Sequence, residues 1–318
     1  MALDIDAVLD RRQLRRKLTF WRIAAFVVLA LALVALLAAS GVLGKLDTAG
    51  NHIARINVAG VINEDKALLG MIERIRKDDK VKGVVLVVDS PGGTAVGGEA
   101  IHAELRELAK AKPMVASVGT LAASAGYMVA AAADHIVARR SSIVGSIGVI
   151  FQYPQAHELL DKLGIEVREI KSSPLKAEPS PFHVPPPGAE AVLQRVIDDT
   201  YAHFIDMVAD RRPLTRAEVV PLADGSVYSG TASVKNRLID AIGGEDEARK
   251  WLIDEKGLDK DLELITWAPP RPRSGLLFAN LAGWLGLPEA TVAAVLPNGM
   301  AEGLRLEGLL AYWRGNVR

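Results

Sequence analysis

The chain has 318 residues, enough to bury a full core in one large domain or two modest ones. Lys plus Arg and Asp plus Glu both number 38, so no net field points to nucleic acid or to a strongly acidic partner. The absence of cysteine excludes disulfides, thiolate metal sites and a cysteine nucleophile, and leaves the redox compartment undecided.

In chain order, the first informative stretch is "IAAFVVLALALVALLAASGVL", Ile23 to Leu43, which runs without a charge. At about 1.5 Å per residue it is long enough to cross a hydrocarbon core of roughly 30 Å. Arg11, Arg12, Arg15, Arg16, Lys17 and Arg22 precede it. The positive-inside rule therefore keeps residues 1–22 cytoplasmic, makes 23–44 a single transmembrane anchor and sends the rest across the membrane. A cleaved signal peptide is the rival, since "LLAAS" offers small residues near Ala39, but the apolar stretch exceeds the usual signal core of about 7 to 15 residues.

Beyond the anchor a βαβα rhythm sets in. "IARINVAG", "GVVLVVDS" and "MVASVG" read as strands, while "ALLGMIERIRK" and "GEAIHAELRELAKA" read as helices. The β-branched run "VVLVV" at 84–88 suits a parallel strand covered on both faces. In "GEAIHAELRELAKA", Ile101, Leu105 and Leu108 share one face, which predicts an amphipathic crossover helix. The stretch 172–188, "SSPLKAEPSPFHVPPPG", carries six prolines and is neither helix nor interior strand. Helical signals resume at about Ala189, with further helices near 231–241 and 245–256. The tail after "LELITWAPP" is too interrupted to span a bilayer, though it could be amphipathic.

Three segments could carry chemistry. "DSPGGTAVGG" follows directly on the buried strand, where parallel sheets present their ligand edge, and its paired glycines could aim N–H groups at an oxyanion or simply make a turn. Ser124 opens the helix-forming "AGYMVAAAAD", either as a nucleophile at the positive end of the helix dipole or as a small core residue. The N–H of Ala125, unpaired in the first turn, would join that of Gly93 around it. None of His52, His102, His135, His157, His183 and His203 shows a partner pattern for a base, and His135 reads as a half-buried structural residue. A neutral lysine is the other option; Lys176 lies among Pro174, Leu175 and Ala177, with Glu178 close by, and would otherwise be a solvated loop lysine.

"VVLVVDSPGG", "SVGTLAASAGYMVAAAADHIVA", "SSIVGSIGVI" and "IKSSPLKAEPSPF" stand together in an order and spacing that resemble the signal peptide peptidase A family, in its short single-domain form. The resemblance covers roughly residues 52–268. It implies an α/β fold of the Clp protease/crotonase type, a repeated ββα spiral core behind the N-terminal transmembrane helix, with the peptidase domain at 50–268 and the tail at 269–318. It further implies Ser124 as nucleophile, Lys176 as general base, Ser146 as the hydroxyl that orients the lysine, and Gly93 and Ala125 as oxyanion donors, with no metal and no cofactor. Three departures mark this chain: Asp for Asn in "DSPGG", "SAG" for "SGG", and "KAEPSP" in place of an Asp-containing run. The last bears on how the loop after Lys176 is fixed, and Lys171 is the other lysine of that segment.

The expected protein is a single-pass bacterial inner-membrane serine endopeptidase with its catalytic domain on the periplasmic side, cleaving short apolar peptides such as signal-peptide remnants. The family pattern adds a ring or dome of copies, an octamer, and no nucleic acid. A crotonase-like acyl-thioester enzyme would need a nucleotide-bearing site and give Ser124 and Lys176 no joint role; a silent membrane scaffold would need neither residue.

Overall fold

The computed structural model describes residues 17–29, 50–269 and 310–312. Residues 17–29 form helix α1, whose apolar side chains, among them Phe20, Trp21, Phe26 and Leu29, are exposed. The remainder of the expected anchor, 30–44, lies outside the described residues. Among the described residues no helix is long and apolar enough to cross a membrane.

The second unit begins at His52. Strand β1 (His52–Ile62) leads to helix α2 (Lys66–Lys77), capped by the Asp65 carboxylate, which accepts from the N–H groups of Ala67 and Leu68. Strand β2 (Val81–Thr94) contains the "VVLVV" run, and four of its five residues are fully buried. Helix α3 (Ala95–Ala111) buries Ile101, Leu105 and Leu108 as their spacing predicts. Strand β3 (Met114–Ala123) and helix α4 (Ala125–Ala131) follow, the helix buried along its whole length.

The sheet divides at β3. Its first half pairs with β4 (His135–Ala138) and its second half with β5 (Ile143–Gly145). The path continues from β3 through β2 and β1 to β8 (Glu263–Trp267). Residues 151–188 hold one short helix, α5 (His157–Lys162), which buries nothing, and otherwise turns and coil, as the prolines require. Then come α6 (Ala189–Arg211), α7 (Arg216–Val219), β6 (Val227–Ser229), α8 (Gly230–Lys235), β7 (Ala241–Ile242) and α9 (Glu245–Asp254). The helix expected over 231–241 stops at Lys235, because Arg237 takes φ 60° and the chain turns into β7. A ninth strand, β9 (Leu310–Tyr312), joins β2. Among the described residues every strand pairing is parallel except β2 with β9 and β5 with β6. The architecture is thus a mixed α/β fold around a mostly parallel sheet.

Candidate active site

Parallel strands deliver their functional residues at the carboxyl ends, and β2, β3 and β5 end here on Ser90–Thr94, Ser124 and Ser146. Ser124 takes φ 55° and ψ −121°, a region that residues with a Cβ seldom enter. Its N–H donates to Gly145 O at 2.8 Å, and its carbonyl accepts from Tyr127 and Met128, so the turn is held on both sides. Ser124 is 1% exposed, yet its hydroxyl makes no hydrogen bond among the described residues and is not one of the sealed unpaired atoms such as Ser233 Oγ. Ser146 also takes a positive φ, 50°, and its N–H donates to Ser226 O at 2.7 Å. Because Ala123 faces Gly145 across the β3–β5 ladder, the two serines stand at neighbouring strand ends.

The glycine turn packs directly against this pair of ends. A Cβ on Gly126 would stand 2.7 Å from Ser90 O, and one on Gly98 would stand 3.0 Å from Ala125 Cβ, so absent side chains let the turn and α4 touch. Ser90, fully buried, donates from Oγ to Gly60 O at 2.7 Å and accepts from Gly92 N–H at 3.1 Å, which staples the turn to β1. Asp89, where the family more often has Asn, accepts from Leu121 N–H at 3.2 Å and ties β2 to β3. Gly93 pairs with Ile62 of β1, and any Cβ there would collide with the Ile62 carbonyl. The structure therefore brings Ser124, Ala125, Ser146 and the Ser90–Gly93 turn together.

At its far end α4 is held by two arginines. Arg106 of α3 donates to Ala132 O, and Arg211 of α6 donates to Ala131 O and Ala133 O, placing guanidinium charge on the negative end of the helix. Sequence reading missed this capping and the Ser90 staple. A serine beside a proline and two glycines signals a side-chain-to-backbone turn, but nothing in the chain order pairs Arg211 with residue 131.

Lys176 is not bonded to this group of residues. Its side chain is exposed and makes no hydrogen bond or ion pair among the described residues; its backbone N–H donates to Ser173 O. Lys171 behaves differently. Its ammonium is bound by Glu169 and Glu178, and these carboxylates raise its pKa, keeping it charged. The Glu178 side chain is 2% exposed, accepts from Ser180 N–H at 3.0 Å, and is held below the usual carboxylate range chiefly by Lys171. Glu178 thus faces Lys171 rather than Lys176. The ligand atoms of Glu169, Glu178 and His183 lie within 4.8 Å of one another, a spacing suited to a cation, and the Lys171 ammonium takes that role.

The histidines serve other ends. His135 stacks on Trp251 with ring centroids 4.8 Å apart, and His52 stacks on Trp267 at 6.1 Å. His102, buried on α3, donates from Nδ1 to Met128 O at 2.7 Å, and burial pushes its pKa down to about 4.

The description "Peptidase family S49" fits residues 106–259, a span that takes in Ser124, Ser146, Lys171 and Lys176 and leaves Gly93 outside. A provisionally named protease of Synechocystis sp. is 37% identical over 69% of this chain and 80% of its own length. A provisionally named signal peptide peptidase SppA of Enterococcus faecium is 35% identical over 72% of this chain and 67% of its own. An archaeal counterpart, a provisionally named protease of Methanocaldococcus jannaschii, reaches 43% identity over 58% of this chain, and the match spans 59% of that relative. The chain belongs to peptidase family S49, and it is an SppA-type peptidase.

Proposed function

We propose that the chain is a membrane-anchored serine endopeptidase of the Clp protease/crotonase fold superfamily, in which Ser124 attacks the peptide carbonyl and Lys176 takes its proton. The observation that carries this reading is the Ser124 turn: a strained serine with an unengaged hydroxyl at the positive end of α4, beside Ser146 and against the glycine turn. As the Oγ–carbon bond forms, the N–H groups of Gly93 and Ala125 receive the oxyanion, and Ser146 orients the lysine amine. Collapse returns the proton from lysine to the leaving amine, and water then repeats the sequence on the acyl-serine. No metal or cofactor enters these steps.

Within the loop segment the choice falls on Lys176 because Lys171 is already committed to two carboxylates. A base must come within hydrogen-bond reach of its proton, about 3 Å, so the 151–188 segment has to seat Lys176 over Ser124 in the working enzyme. Leu159, Leu163, Ile165, Val167 and Ile170 are exposed on that segment, which supports the homo-oligomer, octameric in the family's pattern, as the assembly that seats it. Substrates are short apolar peptides such as signal-peptide remnants, met on the periplasmic side of the inner membrane.

Turnover of an apolar peptide by folded, detergent-solubilised variants tests the dyad. Ser124→Ala and Lys176→Ala should each abolish cleavage, with the double variant no worse than either, because residues acting as one unit are not additive. Lys171→Ala should keep activity. Full activity in Lys176→Ala would remove it from the role of base.

A further inference from the structure

On a segment whose side chains are mostly exposed, the Glu178 carboxylate is an exception, 2% exposed. Burying a carboxylate is costly unless its oxygens are engaged, and here both are. One binds the Lys171 ammonium and lies 3.2 Å from His183 Nε2, while the other accepts from Ser180 N–H at 3.0 Å. Glu169 closes the group, pairing with Lys171 and accepting from Ser180 Oγ at 3.2 Å. The Lys171–Glu178 pair thereby closes the loop 171–178. Lys176 stands just inside that closure, in a turn that its own N–H makes with Ser173 O and that the chain leaves through Ala177 at φ 62°. Further ties run from Gln155 Nε2 to Ser180 O at 3.2 Å and from Ala156 N–H to Pro181 O at 2.8 Å. All of these bonds stay within residues 155–183, so the shape of the loop is set locally.

We propose that Glu178 is a positioning residue for Lys176: by gathering Lys171, Ser180 and His183 it fixes the loop from which the lysine reaches Ser124. This rests on the dyad reading above, and Glu178 acts through the lysine, not on the substrate. A base contributes only when its nitrogen is held within hydrogen-bond reach of the proton, and a long side chain on a loose loop spends little time there. The pairing also disposes of a charge. A free carboxylate beside Lys176 would favour the ammonium form, which can take no proton; bound to Lys171, Glu178 is already neutralised. Because Ser180 N–H and His183 still hold Glu178 in Lys171→Ala, that variant keeps activity, whereas removal of Glu178 unties the whole group.

Turnover of an apolar peptide by full-chain, detergent-solubilised variants tests this, with active sites counted by end-point fluorophosphonate labelling. Glu178→Ala should lower kcat per labelled site about tenfold or more at nearly unchanged KM, since a small misplacement of a catalytic group costs on the order of a hundredfold. Glu178→Lys should be as poor, and adding Lys171→Glu, which restores the pair in reverse, should recover most of the loss. Unchanged kcat per site in Glu178→Ala, with Lys176→Ala inactive, would overturn the proposal and leave the dyad standing. Fewer labelled sites at the parent's kcat per site would also overturn it, because Glu178 would then serve stability alone. So would a reversed pair no better than Glu178→Lys. Activity in Lys176→Ala equal to the parent's would instead remove the dyad, and this proposal with it.

Discussion

Ser124 and Gly93 illustrate two ways in which a single residue fixes this site. For Ser124 the cost is conformational: a positive φ on a residue with a Cβ is held only because Gly145 O, Tyr127 N–H and Met128 N–H leave the chain no other path. For Gly93 the constraint is space, since Ile62 stands where a Cβ would go. Gly93→Ala should therefore lower stability by about 1 to 3 kcal/mol, the usual cost of overpacking, whatever its effect on turnover. Urea unfolding of the variant checks this, and an unchanged midpoint would mean that β1 gives way easily. Loss of activity in a Gly93 variant is consequently no test of oxyanion binding, which has to be read from the backbone N–H geometry of a complex. Ser90 is the third residue of this kind, and its two hydrogen bonds explain why the turn keeps its shape.

At the scale of elements, the sequence reading succeeded where one period governed a segment. The apolar face of α3, the buried run in β2, the start of α6 at Ala189 and the proline-rich gap all follow from spacing and proline chemistry. It failed where tertiary partners decide. Arg237 ends the expected helix at 231–241 with a positive φ, and the capping of α4 by Arg106 and Arg211 joins residues about 26 and 80 positions apart. Pairing of a tail strand with the glycine turn was equally out of reach, because three residues carry no periodicity. Glu178 shows the same limit at the site: its nearness to Lys176 in sequence suggested a charged neighbour, whereas it turns to Lys171.

The α3–α4 contact carries a pH dependence of its own. His102 has a folded pKa of about 4 against 6.5 in the unfolded chain, so the unfolded form binds the proton first as pH falls. Stability from this group is complete above about pH 6.5, declines between 6.5 and 4, and levels off below, a loss of about 3 kcal/mol at 1.36 kcal/mol per pKa unit. His102→Gln keeps a donor for Met128 O and cannot titrate. The difference in unfolding free energy between parent and variant should shift by that amount between pH 7 and pH 4, and a pH-independent difference would contradict the assignment.

For the whole molecule, the proposed anchor and the catalytic unit make separate demands. Residues 17–29, which include the start of the proposed anchor, are helical with exposed apolar side chains. Protease added to spheroplasts should degrade the domain, and N-terminal sequencing of the mature protein should begin near Met1; a terminus near residue 40 would replace the anchor by a cleaved signal. The catalytic unit places Ser124, the proposed nucleophile, at the carboxyl edge of a parallel sheet, while Lys176, the proposed base, sits exposed on the 151–188 segment. On the proposed reading the working site therefore needs the 151–188 segment as well as the strand ends.

Whether Ser124 is an activated nucleophile is read most simply with a fluorophosphonate probe, which reacts with activated serines and leaves ordinary ones alone. Incubated with the intact chain and mapped by peptide mass, the probe should modify Ser124 and no other serine, with labelling lost in Lys176→Ala. A folded parent chain that stays unlabelled, or label on a different serine, would contradict the account.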